Sequence, residues 1–122
     1  MGITSVMHAK IISEVKDVIE ELFLYGAIGT DNTAFSIADT TLGAEVFRDT
    51  VDEVDKSVTE TIVVSLRVLT TEANGDDIVE AGFLDAASAG NLWTRNIINE
   101  IAKTSDKQLY LDVQITVETE EV

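Results

Sequence analysis

Side chains able to do chemistry are unevenly supplied in this sequence. Aspartate and glutamate together number 23, histidine occurs once, at His8, and cysteine is absent. A lone histidine, with no Gly-x-Ser-x-Gly around any serine, makes no Ser–His–Asp or Cys–His constellation unless it reaches a distant nucleophile. On the apolar face of a helix, His8 reads as a packed or interface residue. Soft ligands are too few for a transition-metal site. Oxygen ligands abound: Asn74-Gly75-Asp76-Asp77 gathers several in a tight turn, and Asp49, Asp52, Glu53 and Asp55 form an acidic run. Neither has the D-x-D-x-D-G…E spacing that wraps Ca²⁺, so they read as a solvated hairpin turn and a solvated loop. The glycines of Gly26-Ala27-Ile28-Gly29-Thr30 follow a helix instead of opening one and lack the Gly-Lys-Ser/Thr of a phosphate loop. No pair of acids is singled out for glycoside chemistry, and Trp93 reads as a core neighbour of Leu92 and Ile97. No catalytic, cofactor-binding or metal-ligating residue is assigned, and an enzyme is not expected.

The same counts set the charge. Eight lysines and arginines against 23 acids leave a net charge of −15 and a pI near 4.1. Such a chain is repelled by nucleic acid and anionic lipid, so neither is an expected partner. Without cysteine there is no disulfide frame. Glu20 and Glu21 interrupt the best apolar run before it reaches membrane length, and Met1-Gly2-Ile3-Thr4 lacks the basic-then-apolar opening of a secretory signal. The charge is not a tail: residues 1–61 hold 12 acids and 4 bases, residues 62–122 hold 11 and 4. With 45% hydrophobic residues the chain has a core to bury, unlike a disordered acidic chain. Even self-repulsion over a good core points to work in high salt, where the Debye length falls to about 3 Å and the repulsion is screened. Non-specific cations are then the expected small partners, and no cofactor is expected.

Residues 5–25 read as one amphipathic helix. Ile11, Ile12, Val15, Val18, Ile19, Leu22 and Phe23 fall within an arc of about 140° at about 100° per residue, with Lys16 assigned to the polar side. Thr4 or Ser5 caps its start and Gly26 its end. The stripe packs either on its own domain or on a neighbouring subunit, so Ile11, Val15, Val18 and Leu22 are candidate interface residues. Beyond the helix the period shifts to two. Val58, Ile62, Val64, Leu66 and Val68 mark one strand, and Leu109, Leu111, Val113, Ile115 and Val117 mark another. Shorter β-like pieces lie at 45–54, 78–84 and 92–101, separated by turn signals at 74–77, 88–91 and 104–106. The expected fold is mainly β, an antiparallel, jelly-roll-like β-sandwich with an amphipathic N-terminal α-helix. It reads as a single domain over 1–122, with the helix in 1–25 and the sandwich in 26–122.

Two stretches carry a family resemblance: Ala27-Ile28-Gly29-Thr30 followed by Ala38-Asp39-Thr40-Thr41-Leu42-Gly43-Ala44-Glu45-Val46-Phe47-Arg48, and Glu80-Ala81-Gly82-Phe83-Leu84-Asp85-Ala86-Ala87-Ser88-Ala89-Gly90-Asn91-Leu92-Trp93-Thr94-Arg95. Together, and with the closing strand 109–117, they resemble a family of small structural proteins of tailed viruses. Asp31 stands where that family usually has a second glycine, and Asp85 where it usually has asparagine. The resemblance implies a β-sandwich used as a tail, fibre or capsid appendage, and it carries over no catalytic residue. Gly29 and Gly82 suit positive φ or close backbone approach. Arg48 and Arg95 are two of three arginines. They are candidate interface residues, able to pair with acids such as Glu45 and Glu80 inside the fold or between subunits.

The expectation is a non-enzymatic virion protein of a tailed virus, here of a halophilic archaeal host. It assembles as a homo-oligomer with other virion proteins in a capsid decoration or turret, and it is located in the virion and, during assembly, in the host cytoplasm. A tail, baseplate or fibre component, or a receptor- or glycan-binding module of the virion, is the alternative. If the acidity serves high salt, diluting the salt should loosen the fold, seen as lost β signal in far-UV circular dichroism; an unchanged spectrum at low salt contradicts it.

Overall fold

The computed structural model describes residues 2–118. Met1 of the N-terminal reading and residues 119–122 of the expected domain lie outside the described residues. The helix α1 runs Ser5–Leu22, with the Thr4 hydroxyl accepting from the Met7 N–H as its N-cap. It stops earlier than expected. Phe23 closes the last turn onto the Ile19 carbonyl, and Tyr25–Gly29 leaves as strand β1. Gly26 is therefore a strand residue whose missing Cβ lets Leu66 pack against the backbone, not a helix cap.

Six further strands follow: β2 (Glu45–Thr50), β3 (Glu53–Asp55), β4 (Thr61–Val68), β5 (Asp77–Leu84), β6 (Leu92–Ala102) and β7 (Leu109–Thr116). They form two antiparallel sheets, ordered β2-β1-β5-β6 and β3-β4-β7. The expected mainly-β, two-sheet architecture with an N-terminal helix is what the chain adopts. The β-like piece expected at 45–54 is two strands in different sheets. The chain crosses between them at Val51-Asp52, where Val51 N–H donates to the Leu24 carbonyl and Asp52 N–H to that of Ser65. Val58, expected in a strand, is an exposed loop residue.

The core follows from the period of two. Ile62, Val64, Leu66 and Val68 of β4 lie opposite Ile115, Val113, Leu111 and Leu109 of β7, so one face of this sheet is a ladder of apolar pairs. Against it packs the inner face of the larger sheet, through Ile28, Ile78, Ala81 and Phe83, with Phe23 stacked on Phe83 at 5.9 Å. Strand β5 breaks the alternation and is buried along nearly its whole length. Its outer face is roofed by the arch of residues 30–44, whose Leu42 packs with Ala27, Leu84 and Leu92 in a second small core.

The helix docks by an edge of its stripe that the arc did not anticipate. Ile12 and Lys16 are its buried residues, Ile19 and Leu22 pack on the main core, and Val18 is left exposed. Lys16 sits only about 20° around the helix from Phe23 at about 100° per residue, so the buried stripe is rotated toward it. Its ammonium donates to the carbonyls of Lys56 (2.8 Å), Val58 (2.8 Å) and Thr59 (3.2 Å). Lys56 in turn reaches Glu20 and Asp17, which raise its pKa, and His8 meets Glu60 at 3.0 Å. Lys16→Met keeps the stem but strands three carbonyls, and should lower unfolding stability by about 2–3 kcal/mol. Lys10→Ala, at an exposed pair with Glu14, should leave the urea midpoint in high salt unchanged.

Candidate functional site

The densest polar cluster lies between the arch and the outer face of the larger sheet, and it is built from both of the stretches quoted above. At its centre is Glu80 on β5, 0% exposed. Antiparallel pairing sets Glu80 opposite Gly29 on β1 and Ile97 on β6, and Gly82 opposite Arg95. The Glu80 carboxylate accepts four hydrogen bonds. Oε1 takes the Gly43 N–H at 2.8 Å and Arg95 Nε–H at 2.9 Å; Oε2 takes the Ala44 N–H at 2.8 Å and the Asp31 N–H at 3.0 Å. Both ends of the arch are thus tied to one carboxylate, and Thr30 N–H donates to the Ala44 carbonyl beside it.

Arg95 is 5% exposed and spends its other donors on Asp39 Oδ2 at 3.2 Å and the Asp31 carbonyl at 3.3 Å. Burial by itself pushes the Glu80 carboxyl up. The Arg95 bond and the N–H groups of Ala44, Gly43 and Asp31 outweigh it and hold the pKa below its ordinary value. Arg95 is held above its own ordinary value by Glu80, against desolvation. Asp31 is lowered by the N–H and hydroxyl of Thr33. A shallow polar cleft of about 240 Å³, lined by Asp31, Thr33, Asp39 and Arg95 among others, opens over the cluster. Its groups are mutually engaged, an arrangement suited to holding the arch.

Gly29 is required by this packing. A Cβ there would overlap the Glu80 carboxylate and the Ala44 carbonyl, and at Gly82 it would meet the Thr94 carbonyl at 2.5 Å. Close approach, not positive φ, is the reason for both. A second brace adjoins the first. Arg48 forms two bonds to Glu45, at 2.6 and 3.1 Å, and its third nitrogen donates at 2.9 Å to the carbonyls of both Ala86 and Ala89. It thereby holds the β5–β6 hairpin loop, where Asp85 accepts from the backbone and side chain of Asn91.

The six candidate interface residues divide between two places. Arg48 and Arg95 make their ion pairs within the chain, on Glu45 and Glu80. On the helix, Ile11 and Val15 are half-buried, Leu22 packs on the main core and Val18 is exposed. The turn at 74–77 is not simply solvated: Asn74 Oδ1 accepts from Lys103 Nζ at 2.7 Å, and Lys103 is 1% exposed. The acidic run is dispersed, Asp49, Asp52 and Asp55 each accepting from a different backbone N–H. Among the described residues no group of acids and histidine could hold a metal ion, and no helix is long and apolar enough to cross a membrane. Trp93 is not a core residue: it is 40% exposed and shares a cleft with Phe35 and Ile97. The sequence gives no signal for the burial of Lys103.

No family model matches the chain, and neither curated proteins nor solved structures yield a match.

Glu80→Gln leaves Arg95 buried against an uncharged partner and should lower stability by about 3–5 kcal/mol at neutral pH. Because the folded pKa is depressed, Glu80 contributes fully above the ordinary value of about 4.5, and the contribution is lost as pH falls through the folded value. Urea midpoints measured against pH should therefore fall less steeply on acidification for Glu80→Gln than for wild type. A residual slope will come from Asp31, Asp55, Asp85 and Asp106, which are also lowered.

Proposed function

We propose that the protein is a non-enzymatic structural component of a tailed-virus particle, a homo-oligomeric element of a capsid decoration or turret, working in high salt. The observation that carries this reading is the use to which the buried Glu80 carboxylate is put. Glu80 is saturated by four donors from its own chain, three of them backbone N–H groups, and so acts as a mechanical tie between an arch and a sheet. The two stretches that resemble the viral structural family supply that tie. The second brace, at Arg48, stiffens the neighbouring hairpin. A sandwich braced in this way suits a part that must hold its shape while neighbours bear on it.

The exposed Phe35 and Trp93 rings favour a second reading, a glycan-binding module of the virion, since sugars stack on such rings. The leading reading is tested by the mass of the purified protein in molar salt, followed by its location in disrupted particles. The leading reading expects a homo-oligomer that fractionates with particle shells. A strict monomer found only in host cytoplasm overturns it.

A further inference from the structure

The two sheets present four edges, β2 and β6 in one and β3 and β7 in the other. Natural sheets guard such edges with charge, because an unpaired row of N–H and C=O groups is a template for another strand. Three of the edges are guarded: β2 carries Glu45 and Asp49, β3 carries Glu53 and Asp55, and β7 carries Asp112. The fourth differs. β6 is the longest strand, at 11 residues; its one acid, Glu100, lies near its end, and the eight residues Leu92–Asn99 contain none. It lies in the longest acid-free run of the chain, the 14 residues from Ala86 to Asn99. The positive charge within that run, on Arg95, is consumed inside the fold.

The face beside this edge is apolar. Trp93 and Ile97 of β6 are each 40% exposed and meet Phe35 of the arch across an open cleft of about 380 Å³. Phe35 belongs to another acid-free stretch, residues 32–38. Thr94 Oγ1, in the same strand, is buried without a hydrogen-bond partner among the described residues.

We infer that the free edge of β6, with the Phe35–Trp93–Ile97 face, is where a second copy of this chain docks, β6 lying antiparallel to its counterpart about a two-fold axis. This rests on the homo-oligomer reading above and names its contact surface. Charge selects the occupant. A cationic partner is drawn to the acidic edges, whereas close contact between two chains of net charge −15 is least opposed where acids are missing from both. A two-fold contact sets the same patch against itself, so an acid-free patch is spared repulsion on both sides. Of the exposed apolar residues of the helix, Val18 stands next to Asp17 and one turn from Glu14 and Glu21, while Val6 and Met7 lie in its first turn. Strand-to-strand bonds along β6 would supply affinity, and the ring-lined cleft would supply register.

The test compares full-length variants of equal charge change by sedimentation equilibrium in molar salt, each first shown to keep the wild-type far-UV spectrum. Trp93→Glu and Ile97→Glu should each weaken association by about tenfold or more. Tyr110→Glu on the β7 edge and Val18→Glu on the helix should leave it within about twofold, inside the usual range for changes remote from a contact. If the wild type associates and the β6 variants associate equally well, or if Tyr110→Glu or Val18→Glu is the variant that dissociates, this face is wrong while the homo-oligomer reading stands. If the wild type remains monomeric at every concentration, both are overturned.

Discussion

A carboxylate removed from water must be paid in hydrogen bonds, and Glu80 shows how that requirement organises a fold. Four donors surround it, one charged and three from the backbone. The backbone donors come from the two ends of an arch that has no regular structure of its own. Because the arch is tied down, the outer face of β5 is dry, Leu42 has a small core to enter, and β5 can be apolar on both faces. Because Gly29 has no side chain, the carboxylate can lie against β1. Loss of the charge would leave Arg95 buried beside weaker acceptors, and removing one partner of such a pair is more damaging than never having had it.

The wider charge distribution has the same logic. Of eight cationic side chains, Lys16, Arg95 and Lys103 are buried and Arg48 is 10% exposed, while Glu80 is the one buried acid among the described residues. Half of the scarce positive charge is thus inside, bonded to carbonyls and carboxylates, and the outer surface is more acidic than the composition suggests. Lys16 and Lys103 are held by neutral oxygens, three carbonyls for one and an amide and a carbonyl for the other. Such a surface repels its own copies wherever acids face acids, and salt screens that repulsion.

Much of this architecture is legible from alternation alone. Strands β4 and β7 alternate without interruption because one face of each meets the core and the other meets water, and both were expected within a few residues. The pairing of Arg48 with Glu45 and of Arg95 with Glu80 was also within reach, as one of two alternatives. What escaped has specific causes. Lys16 carries a charge and so reads with the polar residues, although its angular position puts it beside Phe23; a long stem with a charged tip can satisfy both demands. The 45–54 segment reads as one strand because the sheet change at Val51-Asp52 leaves no glycine or proline mark. Trp93 reads as a core residue because large rings usually are, but its neighbour Arg95 must face the same side to reach Glu80, and that side is the outer one. The arch is invisible to periodicity, since its order comes from a residue 36 or more positions away.

The central claim, that one buried carboxylate joins the arch to the body of the sandwich, is most directly tested by native-state hydrogen exchange in high salt. The amides of Asp31, Gly43 and Ala44 donate to Glu80. They should exchange only with global unfolding, as slowly as sheet amides such as Ile28 and Ala81. If these three amides exchange as fast as exposed arch amides such as Ala34, while the sheets stay protected, the arch opens on its own and the account is contradicted.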